Sequence, residues 1–273
     1  MKLANRVVVI TGAASGIGQA AARRFADCGA ILHLVDIDAA GVEAEAVACA
    51  RRGTRAEAHV ADCRDAAAMA EVAASVLERD AGIDVLFLNA GVGHGGPIAD
   101  MDLADWRRVI DTNLYGVVYG LDAFLGPMLA QRGGGHVIIT ASVLGLFALP
   151  LAGAYAATKH ALVALARALR AEVKSRGVEV TAICPGLVAS NIIRDGRLGH
   201  GLVRARVEKI WRTRGADPDV VGRKVVAIAR RRIGGVQVVA ASGSALVHLN
   251  RLGPRTYDRV IGGAYRLAAR ALT

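Results

Sequence analysis

Short runs rich in apolar and β-branched residues recur through the chain up to Ala240, each followed by a longer stretch with helical spacing. Arg6 to Ile10 (R-V-V-V-I), Ile31 to Val35, Arg55 to Val60, Asp84 to Leu88, His136 to Thr140, Glu179 to Cys184 and Val236 to Ala240 have the length and apolar content of buried strands. Helical patterns fill the gaps, from the glycine turn through Cys28, then Ala39 to Arg52, Asp65 to Asp80, Asp105 to Gln131, and from about Tyr155 to Ser175. Gly29 and Gly53 stand where the first two should stop.

This alternation predicts an α/β fold, a doubly wound parallel seven-stranded sheet of Rossmann-like kind with right-handed crossovers. The expected organisation is one dinucleotide-binding catalytic domain over 1–240, with a substrate lid over about 188–215, and a helical extension over 241–273. Gly133 to Thr158 runs 26 residues without Asp, Glu, Lys or Arg, longer than the ~20 that span a bilayer. It opens on three glycines and carries Pro150, so it reads as a buried strand and a site-lining loop.

The strand ends carry candidate chemistry. T11-G-A-A-S-G-I-G18 places Gly12, Gly16 and Gly18, with Ser15 and Ile17, between a strand and a helix, where backbone N–H groups at a helix start can hold a pyrophosphate. The spacing differs from G-x-G-x-x-G. Asp36 ends the second strand where a carboxylate can accept bonds from an adenosine ribose, which favours NAD over NADP; the other reading is a cap for the next helix, and the two roles can coexist. Asn89-Ala90-Gly91 follows the fourth strand, as a ligand crevice requires. Asn113 falls inside a helical pattern it does not favour.

Ser142 follows the fifth strand, and Tyr155 and Lys159 lie one helical turn apart on one face. Bringing a phenol from ~10 to about 7 takes roughly 4 kcal/mol. One positive charge ~4 Å away at an effective dielectric of about 20 supplies that much, so Lys159 is expected to make the Tyr155 phenolate accessible near neutrality. Alone, such a pair is usually two surface neighbours; Ser142 and the glycine turn give it weight.

Together these residues resemble the classical short-chain dehydrogenase/reductase family over roughly residues 3–240, through T11-G-A-A-S-G-I-G18, Asp62, N89-A-G91, Asn113, Ser142, Y155-A-A-T-K159 and P185-G-L-V-A-S190. The resemblance implies that Tyr155 is the general acid/base and that Ser142 binds the substrate oxygen. Lys159 would lower the tyrosine pKa and hold the nicotinamide ribose, and Asn113 would support a water relay. Asp62 and Cys63 would lie near the adenine, and Pro185, Gly186, Val188 and Ser190 near the nicotinamide. Leu88 and Ser190 depart from the family pattern, which has Asn and Thr there. The implied activity is NAD-dependent oxidoreduction, with no metal. Val143, Leu144, Leu146, Phe147, Leu149, Leu187, Ile192 and Ile193 suggest a hydrophobic secondary alcohol or ketone, or else pack on one another. The competing class is a non-catalytic dinucleotide-binding scaffold or sensor.

Composition adjusts this picture at three points. With 53% hydrophobic but 4% aromatic residues, the core must be aliphatic. Residues 1–189 hold 17 basic and 19 acidic side chains, and 190–273 hold 17 and 5, or −2 against +12. The neutral body argues against specific nucleic-acid binding. The basic tail places Arg255, Arg259, Arg266 and Arg270 opposite Tyr257, Val260, Ile261, Ala264, Ala268 and Leu272, so it either docks on protein or lies on an anionic membrane. Four scattered cysteines with no C-x-x-C and no apolar leader point to the cytoplasm. A homo-oligomer, dimer or tetramer, is expected.

Overall fold

The computed structural model describes residues 1–189, 197–198, 213, 215–240, 247, 249–250 and 253–270. Strands β1 (Val7–Thr11), β2 (Ile31–Asp36), β3 (Ala56–Val60), β4 (Val85–Leu88), β5 (Gly135–Thr140), β6 (Val178–Pro185) and β7 (Gly235–Val239) form a parallel sheet in the order β3-β2-β1-β4-β5-β6-β7. Among the described residues the α-helices include α1 (Gly16–Ala26), α2 (Ala39–Ala50), α3 (Ala66–Arg79), α4 (Leu103–Ile110), α5 (Gly116–Ala130), α6 (Gly153–Val173), α7 (Pro218–Arg231) and α8 (Pro254–Arg270). The apolar stretch from Gly133 to Thr158 becomes β5, a loop and the start of α6. Among the described residues no helix is long and apolar enough to cross a membrane.

Period-two alternation within the strands explains the two layers. Val7 and Val9 of β1 face one core with Met69, Val76, Phe124, Met128 and Leu162 from α3, α5 and α6. Val8 and Ile10 face the other with Phe25, Val42 and Val225 from α1, α2 and α7. Strands buried on both faces need no polar alternation, which is why they appear as continuous apolar runs. Helices α1 and α7 approach closely because Gly222 has no side chain; a Cβ there would lie 2.9 Å from the Ala20 carbonyl carbon.

Two departures from expectation have local physical reasons. Asp84 lies outside β4 because its carboxylate accepts bonds from the Val7 amide and from Arg6 Nη1, each at 2.9 Å, tying the starts of β1 and β4 together. The expected Asp105–Gln131 helix is interrupted by a π-helical turn, Asp111–Tyr115, which contains Asn113. Such a widened turn lets one side chain leave the helical face, and it is common at functional sites.

Two buried histidines, His33 and His136, and the half-buried His59 add polar bracing to the sheet. His33 Nδ1 is 2.9 Å from His59 Nε2, and His33 Nε2 is 2.8 Å from Asp80 Oδ2. His33, Glu57 and His59 bring potential ligand atoms within 4.8 Å of one another. Arg55 pairs with Asp80, and Arg79 lies 3.1 Å from Glu57, so the group balances its charges with its own side chains. His136 Nε2 is 2.7 Å from Thr181 Oγ1, while its buried Nδ1 has no hydrogen-bond partner among the described residues.

Burial pushes His59 and His136 down to about 4 from an ordinary 6.5. Both are neutral when folded and charge more readily when unfolded, so the unfolded chain binds the extra protons between those values. Their contribution is present above pH 6.5 and is lost as pH falls towards about 4. Denaturant midpoints should therefore drop over that window, and His136→Leu should flatten the drop.

Candidate functional site

The sheet order reverses between β1 and β4, so their carboxyl ends open a crevice at the switch point. The glycine turn forms one lip. Gly12 has φ +68°, and a Cβ on it would sit 2.8 Å from Ala90 Cα; a Cβ on Gly18 would sit 2.0 Å from the Gly12 carbonyl oxygen. Only glycine fits at either place. Ser15 is the N-cap of α1, yet its side chain makes no capping bond, and the first turn of α1 has no acidic residue. The helix start with Gly16 and Ile17 thus keeps its N–H groups and positive end suited to an anion, and these residues fit a dinucleotide's phosphates.

Asp36 spans the next corner. Its Oδ2 accepts from the Ala14 amide at 2.9 Å and its Oδ1 from the Asp38 amide at 3.0 Å. The cap of α2 is Asp38, which accepts from the Gly41 amide at 3.1 Å, so Asp36 does not cap that helix. Beyond β3, Asp62 accepts from the Arg64 amide at 2.9 Å, and the Arg64 guanidinium holds its carboxyl below the usual range. The half-buried Cys63 thiol, pushed up to about 11 by burial, packs against Gly116, where a Cβ would lie 2.9 Å from its sulfur.

Asn89 is bonded at each of its side-chain heteroatoms. Its Nδ2 donates to the Thr11 and Gly12 carbonyls at 3.2 Å each, and its Oδ1 accepts from the Thr140 hydroxyl at 3.0 Å. The Thr11 hydroxyl accepts in turn from the Asn89 and Ala90 amides at 2.9 and 3.1 Å. Asn89 is therefore a buckle joining β1, β4 and β5 at the crevice floor. Gly91 lies between Asn113 and Lys159, with its Cβ direction 3.1 Å from Asn113 Oδ1 and 3.5 Å from Lys159 Nζ. Past β6, the Gly186 amide donates to the Val239 carbonyl at 3.1 Å, and buried Val188 bridges to Ala216. Ser190, Ile192 and Ile193 lie outside the described residues.

Ser142, Tyr155 and Lys159 come together at the end of β5. Ser142 Oγ accepts from the Leu144 amide at 3.1 Å, and Ser142 lies close enough to the Tyr155 phenol to favour its ionised form. Buried Lys159 donates to the Thr140 carbonyl at 2.8 Å, with its Nζ 5.5 Å from the Tyr155 ring centre. The electrostatics correct the expectation from charge proximity. Burial pushes the phenol up to about 12, with Ser142 pulling the other way, and pushes Lys159 down to about 8. Desolvation penalises both charged forms, and at this separation it outweighs their attraction.

Asn113 is fully buried and its amide is committed: Oδ1 accepts from the Val92 amide at 2.7 Å, and Nδ2 donates to the Val92 carbonyl at 3.0 Å and to Thr158 Oγ1 at 3.3 Å. It fixes the loop after β4 against α6. Three further residues belong to the site and were not singled out from the sequence: Thr11, Thr140 and Thr158. The available signal was a hydroxyl residue ending an apolar strand, which Thr11 and Thr140 both supply.

Part of the apolar loop after Ser142 follows the packing alternative. Val143 and Phe147 are buried against Val247 and Tyr257 of the tail, with Leu144, Leu146 and Leu149 partly buried around them. The alternative of mutual packing therefore describes Val143 and Phe147.

Residues 6–198 match the short chain dehydrogenase family model. The chain is 33% identical over 269 residues to dehydrogenase/reductase SDR family member 7B of Danio rerio, covering 96% of this chain and 86% of that protein. A short-chain dehydrogenase/reductase from Burkholderia phymatum in complex with NAD superposes with a TM-score of 0.83 at 29% identity, covering 91% and 94% of the two chains. An alcohol dehydrogenase from Thermococcus sibiricus complexed with 5-hydroxy-NADP gives 0.75 at 28% identity, covering 86% and 95%.

Replacing Asn89 by Ala should strand the Thr140 hydroxyl and two carbonyls. At about 1 kcal/mol net per ordinary bond, a loss of about 1–3 kcal/mol in denaturant titration is expected; unchanged stability would mark the amide as a bystander.

Proposed function

The chain belongs to the short-chain dehydrogenase family of oxidoreductases, and on that premise we propose that it transfers a hydride between a nicotinamide dinucleotide and a hydrophobic secondary alcohol or ketone. The observation that carries this reading is the Tyr155 phenol beside Ser142 and buried Lys159, whose Nζ lies 5.5 Å from the ring centre and is bonded to Thr140 at the carboxyl end of β5. When bound, the dinucleotide supplies or accepts the hydride.

The chain's own groups would do the rest. Gly12, Ser15, Gly16, Ile17 and Gly18 hold phosphate. Asp36 takes the adenosine ribose, and Asp62 and Cys63 border the adenine. Asn89, Ala90 and Gly91 wall the crevice, and Pro185, Gly186 and Val188 close its nicotinamide end. NAD is preferred over NADP, because Asp36 and neighbouring Asp38 would face a 2′-phosphate with like charge. Leu144, Leu146, Leu149 and Leu187, all partly exposed, offer an apolar substrate arm its contacts.

Ser142 holds the substrate oxygen and Tyr155 moves the proton. A phenol kept at about 12 is protonated at neutral pH and is a ready donor to a forming alkoxide. This supports ketone reduction as the direction the residues favour by themselves. Lys159, pulled down only to about 8, keeps most of its charge at pH 7, available to a ribose hydroxyl and to the transferring proton.

Consumption of NADH with menthone as the probe, followed by absorbance, tests the reading. Tyr155→Phe should lower kcat by about 10²- to 10⁴-fold with NADH affinity retained. Full activity in that variant contradicts the assignment. Asp36→Ala should narrow the NADH-over-NADPH preference by about tenfold or more, and an unchanged ratio would remove Asp36 from coenzyme choice.

A further inference from the structure

The family match ends at residue 198, yet the tail beyond it reaches back to the loop that delivers Ser142. Asn250 Nδ2 donates to the Leu146 carbonyl at 2.8 Å, and the Tyr257 hydroxyl donates to the Ala148 carbonyl. The Tyr257 ring is 6% exposed and tilted against Phe147, with ring centres 6.4 Å apart. Val247, Leu249 and Ile261 complete an apolar cluster with Val143, Leu144, Leu146 and Leu149. Arg255, Arg259 and Arg266 face outward. The side of α8 bearing Tyr257 and Ile261 is thus occupied by the chain's own loop.

The opposite side of that loop is held by the catalytic helix. A Cβ on Gly145 would lie 2.5 Å from the Lys159 carbonyl oxygen, so the turn from Val143 to Gly145 is pressed against α6. The loop therefore sits between α6, which carries Tyr155 and Lys159, and the tail, which holds two of its carbonyls. A loop has few intrinsic restraints, and its backbone goes where its hydrogen bonds and packing take it.

We propose that Tyr257 and Asn250 are positioning residues for the substrate loop. By fixing the carbonyls of Ala148 and Leu146 they set how far Leu144, Leu146 and Leu149 stand from Ser142, and so which apolar arm a ketone can carry. The selectivity of the site then lies partly in a segment outside the family match. This rests on the reading in which Ser142 and Tyr155 handle the substrate oxygen.

The test uses the full-length chain, with Tyr257→Phe, Asn250→Ala and the pair. Tyr257→Phe keeps the ring and deletes only the bond to Ala148. Three quantities are measured: kcat/KM for menthone and for acetone with NADH, NADH affinity by fluorescence, and amide exchange at Leu146 and Phe147, whose N–H groups bond the Val143 carbonyl at 2.9 and 3.3 Å. In the pair, the menthone-to-acetone ratio should fall about tenfold and exchange at those amides should rise about tenfold, the value of one or two ordinary hydrogen bonds. NADH affinity should stay unchanged. An unchanged ratio with unchanged exchange overturns the proposal, as does an equal loss of NADH affinity, which would mean general loosening. If the wild type reduces neither ketone, the functional reading fails instead; exchange then decides the positioning role alone, a rise supporting it and no rise overturning it.

Discussion

The bond from the Lys159 ammonium to the Thr140 carbonyl ties α6 to the end of β5. An ammonium that is almost fully buried must spend its protons on acceptors, and one of them goes to this carbonyl. The Thr140 hydroxyl donates to Asn89, and Asn89 holds the Thr11 and Gly12 carbonyls. Lys159 and the glycine turn thus belong to one hydrogen-bonded strip across the ends of β1, β4 and β5. Asn113 extends it by clamping Val92 and Thr158 from its π-helical turn.

The same burial that makes the strip rigid sets its electrostatics. Charge proximity alone argues for a phenolate at neutral pH, because one cation a few ångströms away supplies enough energy. Desolvation acts on both groups at once, however, raising the phenol and lowering the amine, and here it is the larger effect. Ser142 contributes the opposing bond. The result is a phenol that stays neutral at physiological pH beside an ammonium pulled down to about 8.

Much of the fold was legible in the sequence because strands buried on both faces leave unbroken apolar runs, as at Val7 to Ile10 and Val85–Leu88. Tyr155, Lys159 and Ser142 were legible because a helical spacing and a strand end dictate their meeting. Three features were not. The π-helical turn around Asn113 depends on side-chain bonds to Val92 and Thr158, partners 21 and 45 residues away. The buckle through Thr11, Asn89 and Thr140 joins three strand ends and has no local pattern. The packing of Phe147 against Tyr257 spans 110 positions, so the apolar loop looked like a substrate wall when part of it is a small core.

The most direct measurement is an ultraviolet difference titration of the phenol, wild type minus Tyr155→Phe, in the protein without added coenzyme. The account predicts no phenolate from Tyr155 through pH 10, since its pKa is held at about 12. A phenolate appearing near neutral pH would mean that the Lys159 charge outweighs burial, and would contradict it.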